Sequence, residues 1–437
     1  MNKVVEEFEL YGKTYRFETG ELAKQATGAV LVTQGETTIL LTATISKDQK
    51  DFGFFPLTVD YLEKMYAVGR IPGGYLKREG RPSDLATLTA RLIDRPIRPE
   101  FPAGFKNEVQ IVATTFVCDG ENPPDTVCVQ GASAALMVAG APFNGPVACV
   151  RIGRDIDTGD FMVNPTYKER ENSDLNLTIA GTAHDISMVE CGAKEVSEED
   201  MLAAMNFGQA AIAKFCEAEQ RFIDKVQPKP FEYELHVPDP SIAERVNSHA
   251  DEMREALHDA DKLSRIQKCD DLKAQITAND FNEDEQEEWA NDIADALKAL
   301  ERSVMRKMIV EEGERVDGRK VDEVRPLYIK PGYLPRVHGS ALFQRGQTQA
   351  LSICTLGTLR EGQRLDTIDP TTEKRYMHQY NFPPFCTGET GRIGSPKRRE
   401  IGHGALAERA LVPVLPSEDE FPYAIRVVSE ILESNGS

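Results

Sequence analysis

The sequence predicts an α+β protein: two copies of one domain, the second incomplete, joined by a small all-helical domain. Three observations carry that expectation. A strand-turn-strand pattern occurs twice, a Gly-Arg-Ile motif with a basic cluster follows each occurrence, and a glycine-free acidic stretch with helical periodicity lies between them. The expected divisions are residues 1–235 for the first domain, 236–312 for the helical linker and 313–437 for the second domain.

The repeated hairpin reads TGAVLVTQGETTILLTATIS from Thr27 and HGSALFQRGQTQALSICTLG from His338. Gly28 and Gly35 stand seven residues apart, as do Gly339 and Gly346. Alternating apolar residues flank each turn, and glycine supplies the backbone angles that a tight turn needs. The basic motifs are GRIPGGYLKREGRPSDLATLTARLIDRPIRP from Gly69 and GRIGSPKRREIGHGALAERALVPVLP from Gly391. Each leads into a helical stretch with Leu-x-x-Arg, Leu88 to Arg91 and Leu406 to Arg409, and then into a strand, VQIVATTFV or YAIRVVSEI.

The first copy goes on. DTVCVQGASAALMVAG, from Asp125, predicts a buried helix of small residues, followed by strands around PVACVRIG and DLNLTIAG. A helix from about Glu198 is expected, with Ser197 and Asp200 as its capping box. The second copy shows no counterpart before Ser437, about ninety residues short of its sibling, so the chain is expected to be part of a longer one. Such a half-domain leaves an apolar sheet face and a sheet edge in need of cover. In the spacer, Val246, Met253 and Leu257 fall at helical spacing, as do Ile293, Leu297, Leu300 and then Met305. Pro228, Pro230 and Pro238 mark its entrance, and its charges read as solvated helix faces.

Of 437 residues, 41% are hydrophobic and 28% charged, the balance of an ordinary globular chain. No segment approaches the roughly 18 uninterrupted apolar residues of a membrane span. The N-terminus, MNKVVEEFELYGKTYRF, lacks the apolar core of a signal peptide, so a cytoplasmic protein without membrane partners is expected. Eight scattered cysteines with no CxxC pair predict reduced, packed thiols and not zinc sites.

The formal charge of −20 argues against general nucleic-acid binding but leaves room for a local basic site. Arg70, Lys77, Arg78, Arg81, Arg91, Arg95 and Arg98 face only Glu79, Asp84 and Asp94 in the first motif. The second holds Arg392, Lys397, Arg398, Arg399 and Arg409 with His403, against Glu400 and Glu408. Arginine beside Gly-rich turns suits a phosphate-bearing ligand, because its planar fork matches phosphate oxygens. Arg91, Arg95 and Arg98 recur at helical spacing near Asp94, so ion pairing along a helix and ligand binding both remain open for them. Arg398 and Arg399 favour phosphate, with His403 four residues beyond Arg399 adding a hydrogen bond to the same anion. GRIPGG lacks the Gly-Lys-Ser/Thr of a P-loop, which removes support for a kinase or ATPase.

RVDGRKVDEVRPL (Arg315 to Leu327) resembles the opening of RNase PH domains. GRIPGGYLKREGRPSD with ARLIDRPIRP, and GETGRIGSPKRREIGHGALAERAL with SEILESNGS, resemble the two RNase PH-like copies of bacterial polynucleotide phosphorylases over essentially the whole chain. The resemblance implies a phosphate-dependent 3′-to-5′ exoribonuclease of single-stranded RNA, active in mRNA turnover and releasing nucleoside diphosphates. It implies a homotrimer with a central RNA channel and partners in RNA-degradation complexes. By the same resemblance, Arg398, Arg399 and His403 are catalytic and Ser437, with the arginine pair, binds inorganic phosphate. The loop around Lys77 and Arg78 would grip single-stranded RNA, and Arg81, Arg91, Arg95 and Arg98 of the same basic cluster are the RNA-binding candidates beside it. Where the family often has two phenylalanines and two arginines, this chain has Tyr75, Leu76, Lys77 and Arg78, one stacking ring and one fork-shaped cation fewer. The family's Mg²⁺-binding aspartates and a nearby lysine fall beyond position 437. The corresponding first-copy strand, Asp174 to Thr178, keeps one acid and lacks the lysine. The 437-residue chain alone is therefore expected to be inactive. A non-catalytic RNA-binding or scaffold protein is the alternative, and a hydrolytic exoribonuclease of related fold a weaker one.

Overall fold

A computed structural model describes residues 2–49 and 53–434. The first copy opens with β1 (Val4–Leu10), β2 (Lys13–Thr19), β3 (Gly28–Gln34), β4 (Thr37–Gln49) and β5 (Leu57–Leu62), then α1 (Asp84–Ile97) and β6 (Asn107–Val117). These strands form one sheet in the order β1-β2-β3-β4-β6-β5, antiparallel except for the β5–β6 pair at one edge. Gly35 takes a φ of +60° in the two-residue turn between β3 and β4, as the hairpin pattern required.

The small-residue helix α2 (Asp125–Val138) packs on β3 and β4, with all its residues except Asp125 and Met137 buried. On its other side lies a second sheet of β7 (Ala148–Arg154), β8 (Phe161–Val163), β9 (Leu175–Gly181) and β10 (Ile186–Ala193), in the order β10-β9-β7-β8. The short α3 (Tyr167–Glu171) precedes β9, and the long α4 (Glu198–Val226) covers this sheet and α2. Ser197 caps α4 by accepting from the Asp200 amide, but Asp200 turns its carboxylate to Ser197 Oγ and Arg154, so only half of the expected capping box forms.

Five helices follow: α5 (Pro240–Asn247), α6 (Ala250–Leu257), α7 (Lys262–Asp280), α8 (Glu283–Glu288) and α9 (Ala290–Glu311). They bury their own apolar cluster, which includes Val246, Met253, Leu257, Ile293, Leu297 and Leu300 at the positions that periodicity indicated. Met305 only packs at its margin.

The second copy comprises β11 (Leu327–Pro331), β12 (Gly339–Arg345), β13 (Thr348–Gly357), the two-residue strands β14 (Gln363–Arg364) and β15 (Glu373–Lys374), β16 (Tyr376–Asn381), α10 (Arg398–Leu411) and β17 (Ala424–Glu433). Its sheet runs β11-β12-β13-β17-β16, again with one parallel pair at the edge, and Gly346 repeats the φ of +60°. Nothing among the described residues plays the part of α2 here. Ile39, Leu41 and Ala43 of β4 are buried beneath α2, whereas Ala350, Ser352 and Cys354, at the same places on β13, are half-exposed.

The copies are locked together. Ile368, from the loop between β14 and β15, is buried in the first copy's core, and α1 packs against α10. Both helices span 14 residues and both run on into a 3-10 turn, which fixes their correspondence. In that register Arg95, and not Arg91, matches Arg409, so the Leu-x-x-Arg pairing read from the sequence is one helical turn out of step.

One buried acid tests the core. Glu219 of α4 is fully enclosed, its carboxyl accepts from Ser133 Oγ, and burial pushes its pKa well up. A raised folded-state value means that its stabilisation is complete below the ordinary carboxylate range and is lost as pH rises. Glu219→Gln should therefore hold its melting temperature between about pH 5 and 8, where the parent chain declines. Parallel thermal melts across that range check this, and parallel pH profiles would contradict it.

Candidate functional site

Where α1 meets α10 the helices approach closely because residue 402 is glycine. Gly402 is buried, and a β-carbon there would stand 2.7 Å from Arg91 Nε and 2.9 Å from its Cζ. Arg91, half-buried on α1, thus lies against α10 at Gly402, within electrostatic reach of Arg398 and of His403, which stands one turn beyond Arg399. Burial first, and then the neighbouring Arg95 cation, disfavours its charge.

The adjacent arginines of α10 diverge. Arg398 donates from Nη1 to the Val59 carbonyl and from Nη2 to Asp60 Oδ1, each at 2.6 Å, so it reaches into the first copy. Arg399 turns the other way and lies over the Phe382 ring at 4.4 Å. Phe382 stacks on Tyr380 at 6.2 Å, and His403 meets Tyr380 edge-on at 5.1 Å. Burial, then Arg399 and Arg91, holds His403 below the usual histidine value, so it is neutral near pH 7. Among the described residues neither Arg91 nor Arg399 forms an ion pair.

The structure therefore brings Arg91, Arg398, Arg399 and His403 together and sets the other named cations apart. Arg95 pairs with Glu190 of β10, and Arg409 binds the same carboxylate at 3.2 Å, so matching arginines of the two copies share one anion. Arg98 pairs with Asp94 at 2.7 Å and donates to the carbonyls of Phe55 and Leu57. Lys77, Arg78 and Arg81 occupy an exposed loop, where Lys77 has a φ of +51° and Tyr75 is 97% exposed. The second copy anchors the root of that loop: Asp366 accepts from the Gly73 amide at 3.2 Å, and Arg70 donates to the Thr367 carbonyl. Ser437 lies outside the described residues.

In the register of α1 with α10, Asp84, Leu85 and Thr89 take the places of Arg398, Arg399 and His403, so the first copy has no matching cation pair. Other first-copy arginines are held by internal ion pairs. Asp125, at the start of α2, takes both ends of the Arg151 guanidinium at 3.0 and 2.7 Å. Burial alone would raise the Asp125 pKa, yet Arg151 holds it at about 2. Asp174, the acid immediately before β9, is gripped by Arg154 at 3.1 and 2.5 Å. Among the described residues no three His, Cys, Asp or Glu side chains converge as metal ligands do.

Comparison with known proteins agrees with this duplicated geometry. A model described as "3' exoribonuclease family, domain 1" matches residues 12–142 and again 323–437, one match per copy. The chain belongs to the 3′ exoribonuclease family. The family's domain 2 matches residues 145–211, and the RNA binding domain of polyribonucleotide nucleotidyltransferase matches residues 241–320, over the helical linker. A polyribonucleotide nucleotidyltransferase of Listeria welshimeri is 52% identical over 98% of this chain and 59% of its own length. Those of Geobacillus kaustophilus and Caldicellulosiruptor bescii are each 49% identical over 100% of this chain and 60% and 62% of their own lengths. This 3′ exoribonuclease-family chain thus spans about 60% of the relatives it matches.

Asp60, Glu190 and Asp366 escaped sequence reasoning. Each holds a cation or amide 95 to 338 residues away, and no local motif signals such a pairing. Two outcomes test the site. Gly402→Ala should displace Arg91 and weaken binding of single-stranded RNA by about tenfold, the cost of one charge-assisted contact; fluorescence anisotropy measures it. Because His403 gains its charge only below the usual histidine value, RNA affinity should climb as pH falls from about 7 to 5. His403→Ala should flatten that climb in the same titration.

Proposed function

We propose that this chain, within a polypeptide of its relatives' length, is a phosphate-dependent 3′-to-5′ exoribonuclease that shortens single-stranded RNA. The observation that carries the reading is the set of Arg91, Arg399 and His403, with no carboxylate among the described residues paired to either arginine, in a chain of net charge −20. Family membership and the relatives' names support the reaction class.

In that reaction an inorganic phosphate oxygen attacks the terminal phosphodiester phosphorus. The bond to the preceding 3′ oxygen breaks, a nucleoside diphosphate departs, and the shortened strand keeps a 3′ hydroxyl. Both reactants are anions, so approach depends on fixed cations. Arg399, steadied by Phe382, and Arg91, lodged at Gly402, offer rigid forks to phosphate oxygens and to the charge that develops in the transition state. Neutral His403 can donate one hydrogen bond to the same oxygens. Mg²⁺, when bound, would further neutralise this charge. Lys77, Arg78 and Arg81, with the exposed ring of Tyr75, fit a separate grip on the incoming strand. A trimeric ring and a role in mRNA turnover belong to the same reading, as does a cytoplasmic setting. No described helix is long and apolar enough to cross a membrane.

The test is product analysis on oligoadenylate with and without inorganic phosphate and Mg²⁺, using the chain and a chimera completed with the remaining length of the Listeria welshimeri relative. Nucleoside diphosphates should appear only with phosphate and only from the chimera, while the 437-residue chain binds the RNA without turnover. Phosphate-independent release of monophosphates would replace this reading with a hydrolytic one.

A further inference from the structure

We propose that Asp60, a first-copy residue, is a positioning residue for the anion site of the second copy, acting through Arg398; this rests on the reading of that site given above. Among the described strands β5 pairs with β6 alone, at the edge of its sheet, so its outer carbonyls can accept. The Arg398 fork closes on that edge, with Val59 O and Asp60 Oδ1 each at 2.6 Å. Gln110 donates to the other Asp60 oxygen at 3.4 Å, which steadies the carboxylate from within the same sheet. A lysine, as a point donor, would not span the carbonyl and the carboxylate together.

The consequence falls on Arg399. Consecutive helical residues point about 100° apart, so once Arg398 is tied to the first copy, the direction of Arg399 is set toward Phe382 and the open cleft. The neighbouring arginines therefore divide the work. One is neutralised and joins the two copies, and the other keeps its charge for the ligand. The Arg398 and Asp60 side chains remain 49% and 33% exposed, so their ion pair adds little to folding stability. Positioning can accordingly be separated from folding.

Electrostatics alone predicts the opposite sign. Removing Asp60 takes away a negative charge and frees a cation, which should tighten binding of a polyanion. Loss of positioning should weaken it. The experiment measures anisotropy of a short fluorescent oligoadenylate on the chain and on Asp60→Ala, Asp60→Asn, Arg398→Ala, Arg399→Ala and the Asp60→Ala/Arg398→Ala pair, with a thermal melt of each. Asp60→Ala should weaken binding about tenfold at an unchanged melting temperature. Asp60→Asn, which keeps an oxygen acceptor, should restore most of the affinity, and Asp60→Ala should add nothing in the Arg398→Ala background. Equal or tighter binding by Asp60→Ala overturns the proposal, as does a loss that persists without Arg398. Unchanged binding by Arg399→Ala would instead overturn the underlying reading of the site, and the proposal with it.

Discussion

A chain with twenty more acids than bases repels polyanions over most of its surface, and a polyanion can settle only where cations keep their charge. That condition is met where α1 packs on α10. Gly402 admits Arg91 to the surface of α10, Phe382 carries Arg399, and Asp60 and Glu190 absorb the neighbouring cations. If the two helices separated, the unpaired guanidinium groups would lose their common focus. The packing of the two copies is thus itself the construction of the site.

Duplication supplied both halves of this arrangement, and the halves have diverged. On α1, Asp84, Leu85 and Thr89 take the places of Arg398, Arg399 and His403, and elsewhere in the first copy Asp125 and Asp174 occupy Arg151 and Arg154. In the second copy Arg399 has an aromatic ring where a carboxylate could have been, and a ring orients the cation without cancelling its charge. Buried pairs such as Arg151 with Asp125 cost desolvation and serve local specificity more than net stability. The first copy now acts as scaffold and donor: it contributes Arg91, Asp60 and the loop bearing Lys77, Arg78 and Arg81.

Much of the fold was legible because its causes are local. Gly35 and Gly346 take the same positive φ in matching hairpins, the small residues of Asp125–Val138 form the buried helix, and Ser197 caps α4. The apolar spacing of Val246, Met253 and Leu257 likewise foretold the helical linker's core. The site was legible only as a set of residue types. Arg398, Arg399 and His403 could be named from one motif, but their divergence depends on Val59, Asp60 and Phe382, which sequence places in other elements. Similarly, helical spacing could not decide between roles for Arg91, Arg95 and Arg98. Glu190 lies 95 residues from Arg95, and only the folded sheet brings it to α1. The Leu-x-x-Arg match slipped by a turn because a short motif carries no register, whereas whole helices with their ends do.

One anion site is thus assembled from both copies at the junction of α1 and α10. Its most direct test is photo-crosslinking from the 3′-terminal nucleotide of a single-stranded RNA, with the modified peptides identified by mass spectrometry. Crosslinks should appear in both the α1 segment around Arg91 and the α10 segment around Arg399 and His403. Crosslinks confined to one copy, or to the helical linker, would contradict it.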